Sequence, residues 1–278
     1  MTESDLPSAL RLKTMAGWNQ TAADWKRFMD ASPRGCIVAE VDGEVRGTVT
    51  TVSFEGRFAW VGMVLVDPEY RSKGIGTTLL HMAIRHLDEA KVPTVKLDAT
   101  PEGKPLYEKL GFVTEYDIER WTLQRPAAKS FAGHPRTESA SKQLPASLLQ
   151  MDRETFGAGR ADLLKSLHRD APDFTLEVRT NEVLQGYAFG RRGFLADHLG
   201  PWIAKDADTA RTLLRSFLAR SIRETVIADC LKNNAMAVDL LKFSGFVYAR
   251  PLTRMYRGPN DHPGHPESVC AIMGPEFG

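Results

Sequence analysis

An apolar run, Trp60-Val61-Gly62-Met63-Val64-Leu65-Val66, reads as a buried strand. Shortly after it come Arg71-Ser72-Lys73-Gly74-Ile75-Gly76 and then a run in which Ile75, Leu79, Leu80, Met82, Ala83 and Leu87 share one helical face. A strand, a glycine-bearing turn and a helix in this order strongly constrain the fold. The first amides of the helix have no partners within it and sit at the positive end of its dipole, which is where proteins hold phosphate groups. Taken alone, the hexapeptide serves equally well as a plain helix start with two glycines.

The rest of the chain sets the context. Its 278 residues are enough for two domains of ordinary size. Apolar residues make up 42% and charged residues 26%, the proportions of a globular protein. A net charge of +1 argues against nucleic acid or an anionic membrane as partner. It leaves room for a local anion site, which needs only a few N–H groups and one or two cations. The longest apolar stretch, Phe58 to Val66, is far short of the ~20 residues of a membrane span. The start, MTESDLPSAL, lacks the pattern of a signal peptide. The scattered cysteines Cys36, Cys230 and Cys270 fit free thiols in a reducing, cytoplasmic compartment.

Along the first half the pattern predicts helix, strand, strand, strand, helix, strand, helix, strand. Residues 5 to 29 are helical in pattern, broken by a loop at Gly17-Trp18-Asn19. Cys36–Glu40 and Val45–Phe54 form a hairpin across Asp42-Gly43. Thr94–Asp98 alternates as a strand, Pro105–Leu110 is a short helix ended by Gly111, and Phe112–Leu123 returns as a strand. Residues 125–144, rich in Pro, Gly, Ser and Ala, read as a linker between domains at 1–124 and 145–278.

Beyond the linker the pattern repeats. Gly111-Phe112 returns as Gly245-Phe246 and Leu79-Leu80 as Leu213-Leu214, both at an offset of 134 (245 − 111 and 213 − 79). One spacing at two landmarks argues for a duplicated domain. A second hairpin, Phe174–Val178 with Glu182–Phe189, matches the first, and Ser268–Met273 can form a last strand.

Val64 through Gly76 resembles the acyl-CoA-binding motif of the GNAT superfamily of N-acetyltransferases, and Leu106-Tyr107-Glu108-Lys109-Leu110-Gly111-Phe112 resembles its other signature. The resemblance is strong over residues 5–124 and weak over 145–257. It implies an α/β fold with a central mixed sheet flanked by helices, in tandem, and acetyl-CoA as acyl donor. It also implies that the backbone at Arg71, Ser72, Lys73, Gly74, Ile75, Gly76 and Thr77 holds the pyrophosphate, with Met63, Val64 and Val66 along the pantetheine arm. A backbone N–H near Val64 and Leu65 would stabilise an oxyanion. Tyr107 is either a core aromatic or the acid that protonates the departing thiolate. Asp98, at a strand end, is either a turn cap or the general base. Thr100 stands where the family often has Asn at the cofactor, and Trp18 and Asn19 stand where the family lines its acceptor site. The family's strand before the first helix has almost no room ahead of Ser4.

The 134-residue offset carries Arg71 to Lys205, Gly74 to Asp208, Gly76 to Ala210 and Tyr107 to Leu241, so the second copy loses the glycines and the hydroxyl. It carries Thr100 to Asn234. The second half is therefore expected to keep the fold without the cofactor site. His262 and His265, among prolines and acids, read as a solvated loop rather than a metal site. The expected reaction is transfer of an acetyl group to a primary amine of a small acceptor, by direct attack in a ternary complex. The alternative is an inactive CoA-responsive regulatory protein. Oligomeric state is not encoded legibly.

Overall fold

A computed structural model describes residues 1–126 and 143–278. The expected linker at 125–144 falls mostly on residues 127–142, outside the described residues. The first half runs α1 (Leu6–Met15), α2 (Ala22–Ala31), β1 (Ile37–Val41), β2 (Glu44–Phe54), β3 (Phe58–Val66), α3 (Ile75–Glu89), β4 (Val95–Ala99), α4 (Lys104–Lys109) and β5 (Val113–Gln124). The second repeats that order: α5 (Ala146–Phe156), α6 (Ala161–Asp170), β6 (Leu176–Thr180), β7 (Val183–Arg192), β8 (Asp197–Ala204), α7 (Ala207–Arg220), β9 (Thr225–Leu231), α8 (Ala235–Phe243) and β10 (Val247–Arg257). A short β11 (Val269–Ala271) follows. Ahead of α1 lies a one-turn helix at Glu3–Asp5.

Local chemistry accounts for the element ends. Thr21 and Asp24 form a capping box that starts α2, the Thr21 N–H donating to Asp24 Oδ2 at 2.7 Å. Asp42 and Gly43 both take positive φ, 53° and 77°, as a tight turn between β1 and β2 requires. Gly111 and Gly245 close α4 and α8 at φ 83° and 87°, so the glycines of the repeat perform the same backbone task twice.

Two compact units result. Unit 1 comprises Met1–Glu115, Arg254–Asp261 and Glu276–Gly278, and unit 2 comprises Tyr116–Thr253 and His262–Pro275. The units do not coincide with linear halves, because β5 and β10 each contribute residues to both. In unit 1 the strand order is β1-β2-β3-β4 with the end of β10 beside β4; β2 and β3 are antiparallel, β3 and β4 parallel. One face of this mixed sheet, through Val49, Ala59 and Val61, packs on Leu79, Leu80, Ala83 and Leu87 of α3. The helices α1 and α2 contact β2, which with the face assignment of α3 leaves them the opposite side. In unit 2 the order is β10-β5-β9-β11-β8-β7-β6, and Leu213, Leu214 and Phe217 of α7 are buried in its core. Among the described residues, no helix is long and apolar enough to cross a membrane. The three cysteines are free and buried.

Candidate functional site

The turn between β3 and α3 is held from below and left open above. Asp67, almost fully buried, accepts hydrogen bonds from Arg11 Nη1 (3.0 Å), Arg46 Nη1 (3.1 Å) and the Glu69 N–H (3.3 Å). Burial alone would raise its carboxyl pKa, but these donors outweigh it and hold the group below its ordinary value. Tyr70 carries two cations on its ring, the Arg46 guanidinium at 4.6 Å and the Lys73 ammonium at 4.5 Å. Arg71 turns back to donate to the Val66 carbonyl at 3.3 Å. These contacts fix the loop without using its upper rim. Gly74 is the N-cap of α3 at φ 83°, and no side chain caps the helix there. A Cβ at Gly74 would meet nothing within 4 Å, and one at Gly76 only Val66 Cγ2 at 3.5 Å. The glycines thus keep space open above the unpaired amides of the first turn.

The preceding strand carries a second irregular feature. Thr50 pairs with Gly62 and Thr48 with Leu65, so two steps on β2 span three on β3. The extra residue is a bulge at Met63, which sits at φ 51°, and the Thr48 hydroxyl fixes its carbonyl at 2.8 Å. On the other edge, β3 pairs with β4 only at Ala59↔Val95 and Trp60↔Lys96. From Val61 onward the strands diverge, which leaves the edge around Met63, Val64 and Val66 facing an open wedge.

The remaining expected site residues fall at various distances from this machinery. Tyr107, on α4, is half-buried with its ring edge-on to Phe112 at 6.0 Å, and burial pushes its pKa up to about 12. Thr100 is committed locally: its hydroxyl accepts from the Gly103 N–H at 3.3 Å. Asp98 is fully buried and clamped by Arg254, with Nε to Oδ1 at 2.8 Å and Nη2 to Oδ2 at 2.9 Å. Each of its oxygens thus accepts a hydrogen bond from Arg254. Arg254 also lies over the Trp60 ring at 4.4 Å. Trp18 is half-buried in the α1–α2 loop, its backbone N–H donating to the Lys13 carbonyl at 3.0 Å, and Asn19 beside it is buried.

Sequence reasoning missed the Asp67 contacts with Arg11 and Arg46, and missed Arg254 as the partner of Asp98. Arg254 had a signal: it lies 134 residues after Arg120 (254 − 120), and in unit 2 Arg120 clamps Asp229 in the same bidentate way at 2.7 and 2.7 Å.

In unit 2 the counterparts of both features are filled by the chain itself. The loop before α7 has shrunk to Lys205-Asp206, and the Asp206 carboxylate caps the helix, accepting from the Thr209 N–H at 2.8 Å. The backbone donors at the helix start hold Asp206 below its ordinary pKa, so an internal anion sits where unit 1 is open. The offset pointed to Asp208, but that residue lies within the helix and pairs with Arg211. The wedge is closed as well. Strands β8 and β9 pair in parallel from Asp197↔Val226 to Leu199↔Ala228 and then part, and β11 enters the gap, Ala271 pairing with both Trp202 and Cys230. Asn234 donates to the Val269 carbonyl of β11 at 3.0 Å. Leu241, the counterpart of Tyr107, is a fully buried core residue. His265 pairs with Glu267 at 3.0 Å.

Comparison with known proteins agrees with this duplication. Residues 8–112 match the model of the acetyltransferase (GNAT) family, and residues 148–271 match a second model, acetyltransferase (GNAT) domain. Together the matches cover most of the chain, which belongs to the GNAT acetyltransferase family as a tandem of two such domains and is a transferase. It is 27% identical to a holothin acyltransferase of Pseudoalteromonas sp. over 94% of this chain and 87% of that one. A crystal structure from Pyrococcus horikoshii superposes with a TM-score of 0.83 at 21% identity, covering 100% of this chain and 94% of that one. A tandem GNAT protein from the clavulanic acid biosynthesis pathway superposes at 0.60 with 13% identity, covering 93% and 97%.

Proposed function

We propose that unit 1 moves an acetyl group from acetyl-CoA to a primary amine of a small molecule. The observation that carries the reading is the open, uncapped start of α3 next to a bulged strand with a free edge, set against a second copy in which both places are filled. A pyrophosphate needs unpaired amides and room for its oxygens, and Gly74 and Gly76 supply both, so the residues fit the donor. The backbone from Arg71 to Thr77 would hold the phosphates, with Lys73 adding charge. The free edge of β3 at Met63, Val64 and Val66 suits the amide-bearing pantetheine arm. When bound, the donor supplies an activated acyl carbon; this chain orients it and polarises it through a β3 N–H near Val64 and Leu65.

Tyr107 keeps its proton throughout the neutral range, because burial pushes its pKa up to about 12. A thiol has an ordinary pKa of about 8.5, so full transfer from the phenol is uphill. The hydroxyl therefore acts as a hydrogen-bond donor to the departing sulfur, or passes a proton through water. Asp98 is left out of the proton path because Arg254 holds both its oxygens. A small acceptor is supported by the relative named for holothin and by the absence of any acidic or basic tract in the sequence.

Free-thiol release with acetyl-CoA and a panel of primary amines tests the reading. Tyr107→Phe is expected to lower kcat by about 10²-fold while leaving acetyl-CoA affinity unchanged. Equal turnover in the variant would remove Tyr107 from the mechanism, and binding without thiol release for any amine would favour the regulatory alternative.

A further inference from the structure

The proton of the attacking ammonium needs an acceptor, and β3 carries no acid. The chain brings one from its far end. Residues Glu276–Gly278 belong to unit 1, and all three are buried. A Cβ built on Gly62 would meet the Glu276 carbonyl oxygen at 2.9 Å, its Cα at 3.1 Å and its Cβ at 3.2 Å. Gly62 is thus bare because Glu276 lies directly on it, one residue before the Met63 bulge. A Cβ direction leaves the sheet through its face, so this segment covers the face of β3 and leaves the edge wedge clear. That face is the one opposite α3, since the neighbours Ala59 and Val61 point to α3.

Two further observations fix the segment and mark the spot as polar. Phe277 stacks on Phe28 of α2, with ring centroids 4.4 Å apart and planes 15° from parallel. Thr50, the cross-strand partner of Gly62, shares its face. Its hydroxyl is buried and makes no hydrogen bond among the described residues. A buried hydroxyl without a partner is costly unless a ligand or a water completes it. Bulge, bare glycine, the backbone and Cβ of Glu276 and the Thr50 hydroxyl therefore meet on one patch of β3.

We propose that Glu276 is the general base of unit 1, and that Thr50 beside it hydrogen-bonds the acceptor. This rests on the transferase reading above. The acceptor ammonium gives one proton to the Glu276 carboxylate. The freed lone pair forms the C–N bond to the acyl carbon, and the C–S bond breaks with its electron pair going to sulfur. The nitrogen's second proton is lost as the sulfur gains one, giving amide, free thiol and one proton.

The test compares wild type with Glu276→Gln and Glu276→Asp in the full chain, using tyramine, putrescine and glucosamine as acceptor probes. With the best of these amines, Glu276→Gln is expected to lower kcat by about 10²-fold, with Glu276→Asp partly restoring it. Calorimetry is expected to show acetyl-CoA affinity unchanged and binding of the same amine to the CoA-loaded protein about tenfold weaker in Glu276→Gln. A thermal midpoint within a few degrees of wild type would separate these effects from misfolding. Turnover and amine affinity unchanged in Glu276→Gln would overturn the base while leaving the transferase reading intact. Loss of acetyl-CoA binding in that variant, at an unchanged midpoint, would also overturn it, by tying Glu276 to the donor. Wild-type protein that binds acetyl-CoA but releases no thiol with any of the probes would overturn the reading and the base together.

Discussion

Gly74 and Gly76 lie two positions apart, yet they are glycines for different reasons. At Gly74 the backbone requires it: φ is 83°, a region that costs an ordinary L residue about 1–2 kcal/mol. Gly76 lies inside the helix, and a side chain there would touch only Val66 Cγ2 at ordinary contact distance. Its protein environment thus tolerates a Cβ, and only a ligand above the helix start would object. Gly76→Val is therefore expected to fold with wild-type stability within about 1 kcal/mol, since helix propensity slightly favours it. Its acetyl-CoA affinity should fall at least about tenfold, the loss of one charge-assisted hydrogen bond. Calorimetry alongside thermal unfolding checks both, and unchanged affinity would sink the proposed amide cradle. Gly74→Val should lose affinity too, but mixed with backbone strain.

At the scale of elements, the same strand–turn–helix unit appears twice, with its helix start uncapped by a side chain in unit 1 and capped by Asp206 in unit 2. In unit 2, β11 occupies the wedge between β8 and β9, and Asn234 both caps α8 through the Ala237 N–H at 3.0 Å and holds the Val269 carbonyl. Asn234→Ala removes both contacts and is expected to cost about 1–2 kcal/mol in urea unfolding. Acetyl-CoA affinity should not change; a tenfold loss would move the donor site to unit 2. The duplication was legible because glycine stops and buried leucine pairs obey local rules that survive divergence. The turn was legible because Arg71 through Gly76 carry their chemistry in consecutive residues. The exchange of β5 and β10 residues between units was not legible, since hydrophobic alternation does not specify a strand's neighbour. The Asp98 clamp escaped for the same reason: its partner Arg254 lies 156 residues away. Asp206 was missed because a shortened loop shifts the helix start away from the fixed offset. Glu276 has no local pattern at all; only Gly62, bare within an apolar strand, hinted that backbone approaches there.

For the whole molecule, pH dependence centres on the buried charges of unit 2. Asp229 is completely buried between Arg120 and His198, whose Nε2 lies 3.1 Å from Oδ2. Burial alone would raise the carboxyl, but Arg120 and His198 outweigh it and hold it far below the usual range. The unfolded chain takes up this proton near pH ~3.9 and the folded chain does not, so the stabilisation is complete above that pH and lost as pH falls below it. Burial likewise holds His198 below its ordinary value. The unfolded imidazole charges first as pH falls through about 6.5, so acid begins to erode stability there. The thermal midpoint should therefore decline from pH 7 toward pH 3; a flat profile would contradict the network. Asp229→Asn, which leaves Arg120 without its counter-charge, is expected to cost about 3–5 kcal/mol. Above these particulars stands one claim: of two similar domains, only the one bearing Arg71 through Thr77 holds the acyl donor. Calorimetric titration with acetyl-CoA tests it most directly. The account predicts one molecule bound per chain, abolished or strongly weakened by Gly76→Val, whereas two per chain, or one that survives that substitution, would contradict it.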